Sequence, residues 1–224
     1  MMSGGPLWAL VPVRSLGDGK RRLAAVLAPG ERAALVRCML EDGLDTLHRC
    51  PGVDRVAVVT GDSGAAEIAA AHGALTLPEA PGGGLNGSLE AARARLLSDH
   101  PRAHVLMMPA DLPGVTPAEL EAAVLAADAD VVLARSTDGG TNAMLLRPIA
   151  SLPFTFGPDS CRRHRDAALA AGRSVRVVDS TGLALDIDHP DDLLAVLARG
   201  GSSRTLDLLN RLRIPDRLLV GAAP

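Results

Sequence analysis

Residues 104–113 read HVLMMPADLP: an uninterrupted apolar run, then an aspartate locked by Leu-Pro. Four to five apolar residues with no polar alternation suit a strand buried on both faces, and such strands belong to parallel sheets covered by helices. The same design recurs outward in both directions. Leu7–Val13 (LWALVPV) and Val53–Thr60, ending VAVVT, are apolar runs that end in glycine-containing loops. Between them, Val36, Leu40, Gly43/Leu44 and Leu47 recur at helical spacing behind Pro29, so the spacing predicts a helix over 29–50. A second helix follows Gly61-Asp62-Ser63-Gly64 and ends near Gly73. Then come a short strand at 74–77, a glycine-rich loop at 82–87 and a helix over 88–97.

Beyond Asp111, Thr116, Pro117 and Glu119 form a capping box that starts another helix. Strands are expected at 130–134, 143–146 and 174–178, and helices at 160–171 and 190–198. This alternation predicts an α/β fold in three layers, a mostly parallel sheet with helices on both faces. Residues 1–200 read as one domain. Gly200-Gly201-Ser202-Ser203 reads as a hinge, and 201–224 as a tail with a short amphipathic helix. Its apolar face, Leu206, Leu208, Leu209 and Leu212, makes a homodimer worth testing.

Composition narrows the function. The 224 residues carry a net charge of -3 and include one Trp, two Phe and no Tyr. Neither a basic field nor aromatic stacking platforms are available for nucleic acid. The first apolar stretch is broken by Pro12 and is too short for a membrane span, so a cytoplasmic protein with no membrane partner is expected. Cys38, Cys50 and Cys161 are unpaired in pattern, so reduced thiols are expected rather than a disulfide or zinc site.

Ligands of parallel α/β sheets bind beyond the carboxyl ends of the strands, and four clusters fall there. Asp111 follows a buried strand, where a carboxylate can offer hard oxygen to Mg²⁺; a turn aspartate is the alternative. Asp186 and Asp188 flank Ile187, so in extended chain both carboxylates project to one side while Ile187 enters the core. Two adjacent carboxylates repel unless a cation intervenes, although Asp188 could instead cap the helix after it. Arg14 and Lys20-Arg21-Arg22 lie among glycines in a loop suited to a triphosphate, but without the pattern of a P-loop; a solvated basic loop is the alternative. The fourth cluster joins Gly139-Gly140-Thr141-Asn142 to Phe156-Gly157-Pro158-Asp159-Ser160 and His164, with Ser160 at a helix start that favours phosphate.

In this order the clusters resemble the guanylyltransferases of coenzyme F420 biosynthesis, the group that includes 2-phospho-L-lactate guanylyltransferase. The motifs are Val11-Pro12-Val13-Arg14, Lys20-Arg21-Arg22-Leu23, Ala110-Asp111-Leu112-Pro113, Gly139-Gly140-Thr141-Asn142, residues 156–164 (FGPDSCRRH) and Leu185-Asp186-Ile187-Asp188. Each motif is unspecific alone, and their ordered combination is specific. The resemblance implies a nucleotide-diphospho-sugar-transferase-like fold and transfer of GMP from GTP to the phosphate of a small C3 acid: phosphoenolpyruvate, 2-phospho-L-lactate or 3-phospho-D-glycerate. It implies two Mg²⁺ on Asp111, Asp186 and Asp188, and an acceptor phosphate held by Thr141, Gly157 and Ser160.

On that reading Arg14, Lys20 and Arg22 meet the triphosphate, Lys20, Arg22 and Asp111 act in catalysis, and Asn86 contacts the nucleoside. Asn142 or His164 reads the acceptor's carboxylate. The sequence departs from the pattern at Arg14, Arg21 and Cys161, and no departure removes a carboxylate. The alternatives are another nucleotidyltransferase of this fold, acting on a molybdenum cofactor or a sugar-like alcohol, and a non-catalytic nucleotide-binding regulator.

Overall fold

The computed structural model describes residues 5–221. The strands are β1 (Leu7–Pro12), β2 (Arg55–Val59), β3 (Leu75–Leu77), β4 (His104–Met107), β5 (Val131–Arg135), β6 (Thr141–Leu146) and β7 (Val175–Val178). They form one sheet in the order β3-β2-β1-β4-β6-β5-β7. Only β6 runs against the rest, pairing antiparallel with both β4 and β5. The carboxyl ends of the six parallel strands therefore share one edge, and β6 brings its start to that same edge.

Alternation along the strands divides the core. Ala9, Val11, Leu106 and Leu145 face one layer, with α1 (Pro29–Arg49), α2 (Ser63–Ala71) and α4 (Pro117–Leu120). Leu10, Met107, Leu133 and Met144 face the other, with α3 (Gly84–Asp99) and α5 (Ser160–Ala170). The expected mostly parallel, three-layer fold is present. None of the described helices is long and apolar enough to cross a membrane. Cys38, Cys50 and Cys161 are free thiols.

Two local expectations are corrected. The glycine-rich stretch is not a loop to residue 87: α3 begins at Gly84. Tertiary contacts override glycine's poor helix propensity, because Ser88 Oγ accepts from Ala80 N and Asn86 is fastened to Phe156. Thr116 does cap α4 by accepting from Glu119 N at 3.1 Å. Glu119 does not complete the box, however; its carboxylate accepts from Ser180 Oγ, Gly182 N and Arg199 instead.

Behind the sheet, α6 (Thr181–Ala184) and α7 (Pro190–Arg199) are followed by α8 (Arg204–Arg211) and α9 (Ile214–Gly221). Leu206, Leu208, Leu209 and Ile214 are buried in a third cluster with Leu23, Leu35, Met39, Ile187 and Leu193. The start of α8 is fixed by Asp42 of α1, whose carboxylate accepts from the amides of Arg204 and Thr205. The apolar face of the tail, read in the sequence as a reason to test for a homodimer, thus packs largely within its own chain.

Candidate functional site

Lys20 is the centre of the charged half. It closes the β1 loop in the left-handed region (φ 53°) and precedes a 3₁₀ turn, Arg21–Ala25, anchored by fully buried Leu23. That anchor aims the Lys20 ammonium between two carboxylates, 2.6 Å from Asp111 Oδ2 and 2.8 Å from Asp188 Oδ1. Burial alone would lower the Lys20 pKa. The charges and hydrogen bonds of Asp111 and Asp188 outweigh burial and raise it. Arg22, more exposed, stands 3.5 Å from Asp188 Oδ2.

The two acidic segments are stitched by a backbone bond from Ile187 N to Asp111 O at 3.1 Å. Ile187 is fully buried, as its place between two outward carboxylates requires. Asp188 is not the cap of α7. The cap residue is His189, and Asp192 reaches back to accept from the amides of both Asp188 and His189. The Asp188 carboxylate is therefore left to the site.

Asp186 lies deeper. Burial raises its pKa, the hydrogen bond from Asn142 opposes that, and the neighbouring charges of Asp111 and Asp188 add to the rise. Among the described residues no three acidic, His or Cys side chains stand close enough, as placed, to hold a metal ion. The chemistry of the set still fits a hard cation: Asp111, Asp186 and Asp188 all offer carboxylate oxygen, and Asp186, raised first by burial, feels the charges of the other two.

The uncharged half is built on a bulge. Ala134 pairs with Ala143 while Arg135 pairs with Thr141, so Asn142 is an extra residue in β6. A bulge breaks the two-residue alternation and re-aims side chains. Asn142 turns to Leu183 O (2.8 Å) and Asp186 Oδ1 (3.0 Å), and Thr141 turns to α5. There Ser160 Oγ donates to Thr141 Oγ1 at 3.1 Å, and His164 Nδ1 lies 3.2 Å from the same oxygen. His164 Nε2 accepts from Thr155 N at 3.0 Å, so its proton must sit on Nδ1 and point at Thr141. Burial, followed by the charge of Arg163, pushes His164 down to about 4. Gly157 (φ 128°) and Gly139 (φ 87°) form turns beside this cluster that other residues would strain.

Three expected ligand contacts are placed elsewhere. His164 is 1% exposed with both ring nitrogens engaged, so it orders Thr141 from beneath and does not meet the acceptor. Asn142 is 7% exposed and holds Asp186. Asn86 uses both ends of its amide on the backbone of Phe156, at 3.1 and 2.7 Å, so it fastens that loop and not a nucleoside. Thr141, Ser160 and Gly157 do come together, as do Lys20, Arg22, Asp111, Asp186 and Asp188.

Arg14 lines a separate cavity of about 560 Å³ beyond the ends of β1, β2 and β3, with Pro12, Val59, Glu79, Leu85 and Pro109. Glu79 lies outside the motifs that the sequence singles out. Its signal is weaker than that of Asp111: an acidic residue two positions past a short, half-exposed strand. Another groove of about 590 Å³ runs between β3 and α3 past Trp8 and His100, and none of these charged site residues lines it.

The family model described as "Guanylyl transferase CofC like" matches residues 7–219. A phosphoenolpyruvate guanylyltransferase of Conexibacter woesei is 38% identical over 216 residues, covering 92% of this chain and 96% of that one. A 3-phospho-D-glycerate guanylyltransferase of Phenylobacterium zucineum is 40% identical over 211 residues, with the same 92% and 96% covered. A solved chain from Desulfovibrio desulfuricans, assigned to the nucleotide-diphospho-sugar transferases, superposes with a TM-score of 0.75 at 19% identity, covering 94% of this chain and 97% of that one. That likeness bears on the fold.

Proposed function

Since the chain belongs to the family of CofC-like guanylyl transferases, we propose that it moves GMP from GTP to the phosphate of a small phosphorylated C3 acid, releasing pyrophosphate, as a step toward coenzyme F420. The observation that carries this reading is the convergence of Lys20, Asp111 and Asp188 at the sheet edge, beside an order of hydroxyls on Thr141 and Ser160. The first group suits a triphosphate and the second a phosphate monoester. Phosphoenolpyruvate, 2-phospho-L-lactate and 3-phospho-D-glycerate all meet the requirement.

In the reaction, an acceptor phosphate oxygen attacks the α-phosphorus of GTP and the bond to the β-phosphate oxygen breaks. A monoester's second pKa is near ~6, so the nucleophile is already ionised at neutral pH and the chain need not supply a base. Its task is to bring two anions together. Lys20 and Arg22 are assigned to the triphosphate, and Arg14, in the neighbouring cavity, to the end of it nearest the nucleoside. Thr141 is assigned to the acceptor phosphate: its oxygen accepts from Ser160 and His164, so its own O–H is left to donate outward. Gly157 is assigned beside it, and Ser160, as buried as His164, serves the cradle by orienting Thr141. Asp111, Asp186 and Asp188 are the groups that would hold Mg²⁺, two ions on the family pattern, whose charge would offset that developing on the phosphoryl oxygens.

The test is pyrophosphate release from GTP and Mg²⁺ with each of the three acids in parallel, for the parent chain and Asp188→Asn. At least one acid should support turnover, and D188N should lower it at least ~100-fold without altering the folded spectrum. Silence with all three acids, or near-normal turnover by D188N, would sink the reading.

A further inference from the structure

The cavity at the ends of β1, β2 and β3 holds one carboxylate, Glu79, and its walls explain what that carboxylate is for. Pro12, Val59, Leu85 and Pro109 supply flat aliphatic surface. Such surface packs well against a planar ring, and Arg14 and Ser88 are the other polar side chains of the lining. Arg14 stands at the same cavity, on the loop that leads to Lys20 and Arg22, so a ligand whose phosphates lie at Lys20 would extend its other end here.

Glu79 follows β3 by two residues, half-buried, with its carboxylate packed against Gly61; a Cβ at Gly61 would stand 3.3 Å from Glu79 Oε2. Among the described residues it has no hydrogen-bond or ion-pair partner. The neighbouring carboxylate, Asp62, differs: it accepts from the amides of Leu16 and Ala65 and caps α2. A carboxylate with two acceptor oxygens, uncommitted and walled by apolar surface, selects a partner with two adjacent donors. Of the common bases only guanine presents two on one edge, N1–H and the exocyclic 2-amino group. Adenine and cytosine place a ring acceptor beside their amino group, which would face the carboxylate with a lone pair.

We infer that Glu79 is the residue that reads guanine in this chain, pairing both oxygens with the N1–H and 2-amino donors. The inference rests on GTP being the donor, as proposed above. A hydrogen bond to a charged group is worth about ten- to a hundredfold in affinity. The parent chain should therefore bind GTP about tenfold or more tighter than ITP, which lacks the 2-amino group, and at least ~100-fold tighter than ATP.

The deciding variant is Glu79→Gln. A glutamine keeps the size, but offers one acceptor and one donor. That pair mismatches the N1–H and 2-amino edge of guanine and matches the same edge of xanthine, which carries N1–H beside a 2-carbonyl. Affinity for GTP, ITP, XTP and ATP is measured by calorimetry on the full chain, alongside pyrophosphate release with the best acid. E79Q should weaken GTP about 100-fold and bind XTP more tightly than GTP, with kcat on XTP within about threefold of the parent's on GTP, since the contact lies far from the reacting phosphorus. Glu79→Ala should lose GTP without gaining XTP. Unchanged GTP preference in E79Q, or equal loss of GTP and XTP, overturns the inference. Direct binding separates the two readings: a parent chain that binds GTP selectively but releases no pyrophosphate with any acid refutes the proposed reaction and leaves the base contact standing.

Discussion

His164 is a histidine kept neutral by its surroundings, and that makes it a measurable feature of stability. Its folded pKa of about 4 lies below the ordinary 6.5, so between those values the unfolded chain binds the extra proton. Stability from this group is complete above pH 6.5 and is lost as pH falls toward 4, by up to ~3 kcal/mol. Urea unfolding of the parent chain should show that acid limb and His164→Gln should lack it; parallel limbs would mean that other groups govern. Lys20 invites a different expectation. Removing its ammonium leaves Asp111 without its ion-pair partner and Asp188 with Arg22 alone, at 3.5 Å. Lys20→Gln should lower pyrophosphate release by about 10²–10³-fold, the scale of losing one preorganised charge contact, and retention of normal rates would refute its role. The acidic residues themselves were legible: Asp111 follows an apolar run that had to be buried, and Asp186 and Asp188 flank a residue that enters the core. The histidine's depth was not, since one residue's burial depends on which face of α5 meets the sheet.

At the scale of elements, the strands were readable and their directions were not. Apolar runs announce burial on both faces, yet they are the same for a parallel strand and for β6, which is reversed. The bulge at Asn142 is likewise silent in sequence, because it arises from pairing across β5. It explains why Thr141 and Asn142 serve different halves of the site. Asn142→Ala should free Asp186 from its orienting bond. Groups that orient metal ligands typically contribute ten- to a hundredfold in affinity, so N142A should raise the Mg²⁺ concentration needed for half-maximal rate about tenfold while leaving the acceptor KM near its parent value. A change confined to the acceptor KM would place Asn142 in the other half. The start of α3 was misjudged for a related reason: the glycines suggest a loop, and the bond from Asn86 to Phe156, seventy residues away, holds a helix there.

For the whole molecule, the third cluster joins the tail to the site. Leu206, Leu208, Leu209 and Ile214 pack in the same cluster as Ile187, the residue between the two carboxylates. Each buried aliphatic is worth about 1.5–3 kcal/mol, so the four together rival the ~5–15 kcal/mol that hold a typical domain folded. A chain ending at Ser203 should therefore be expressed as aggregate or as a dye-binding, non-cooperative species; a soluble, active truncation would show the tail to be dispensable. The sequence reading set this tail apart after a Gly-Gly-Ser-Ser hinge, since composition marks a flexible joint but not what docks beyond it. The reversed strand has a consequence of its own. β6 is a seam: on one side lie the loops assigned to nucleotide, on the other the turns of Gly139 and Gly157 that border the acceptor cradle. On the proposed reading, substitutions in the turns at Gly139 and Gly157, with Asn142 kept for Asp186, retune which acid is taken while the nucleotide half is inherited unchanged.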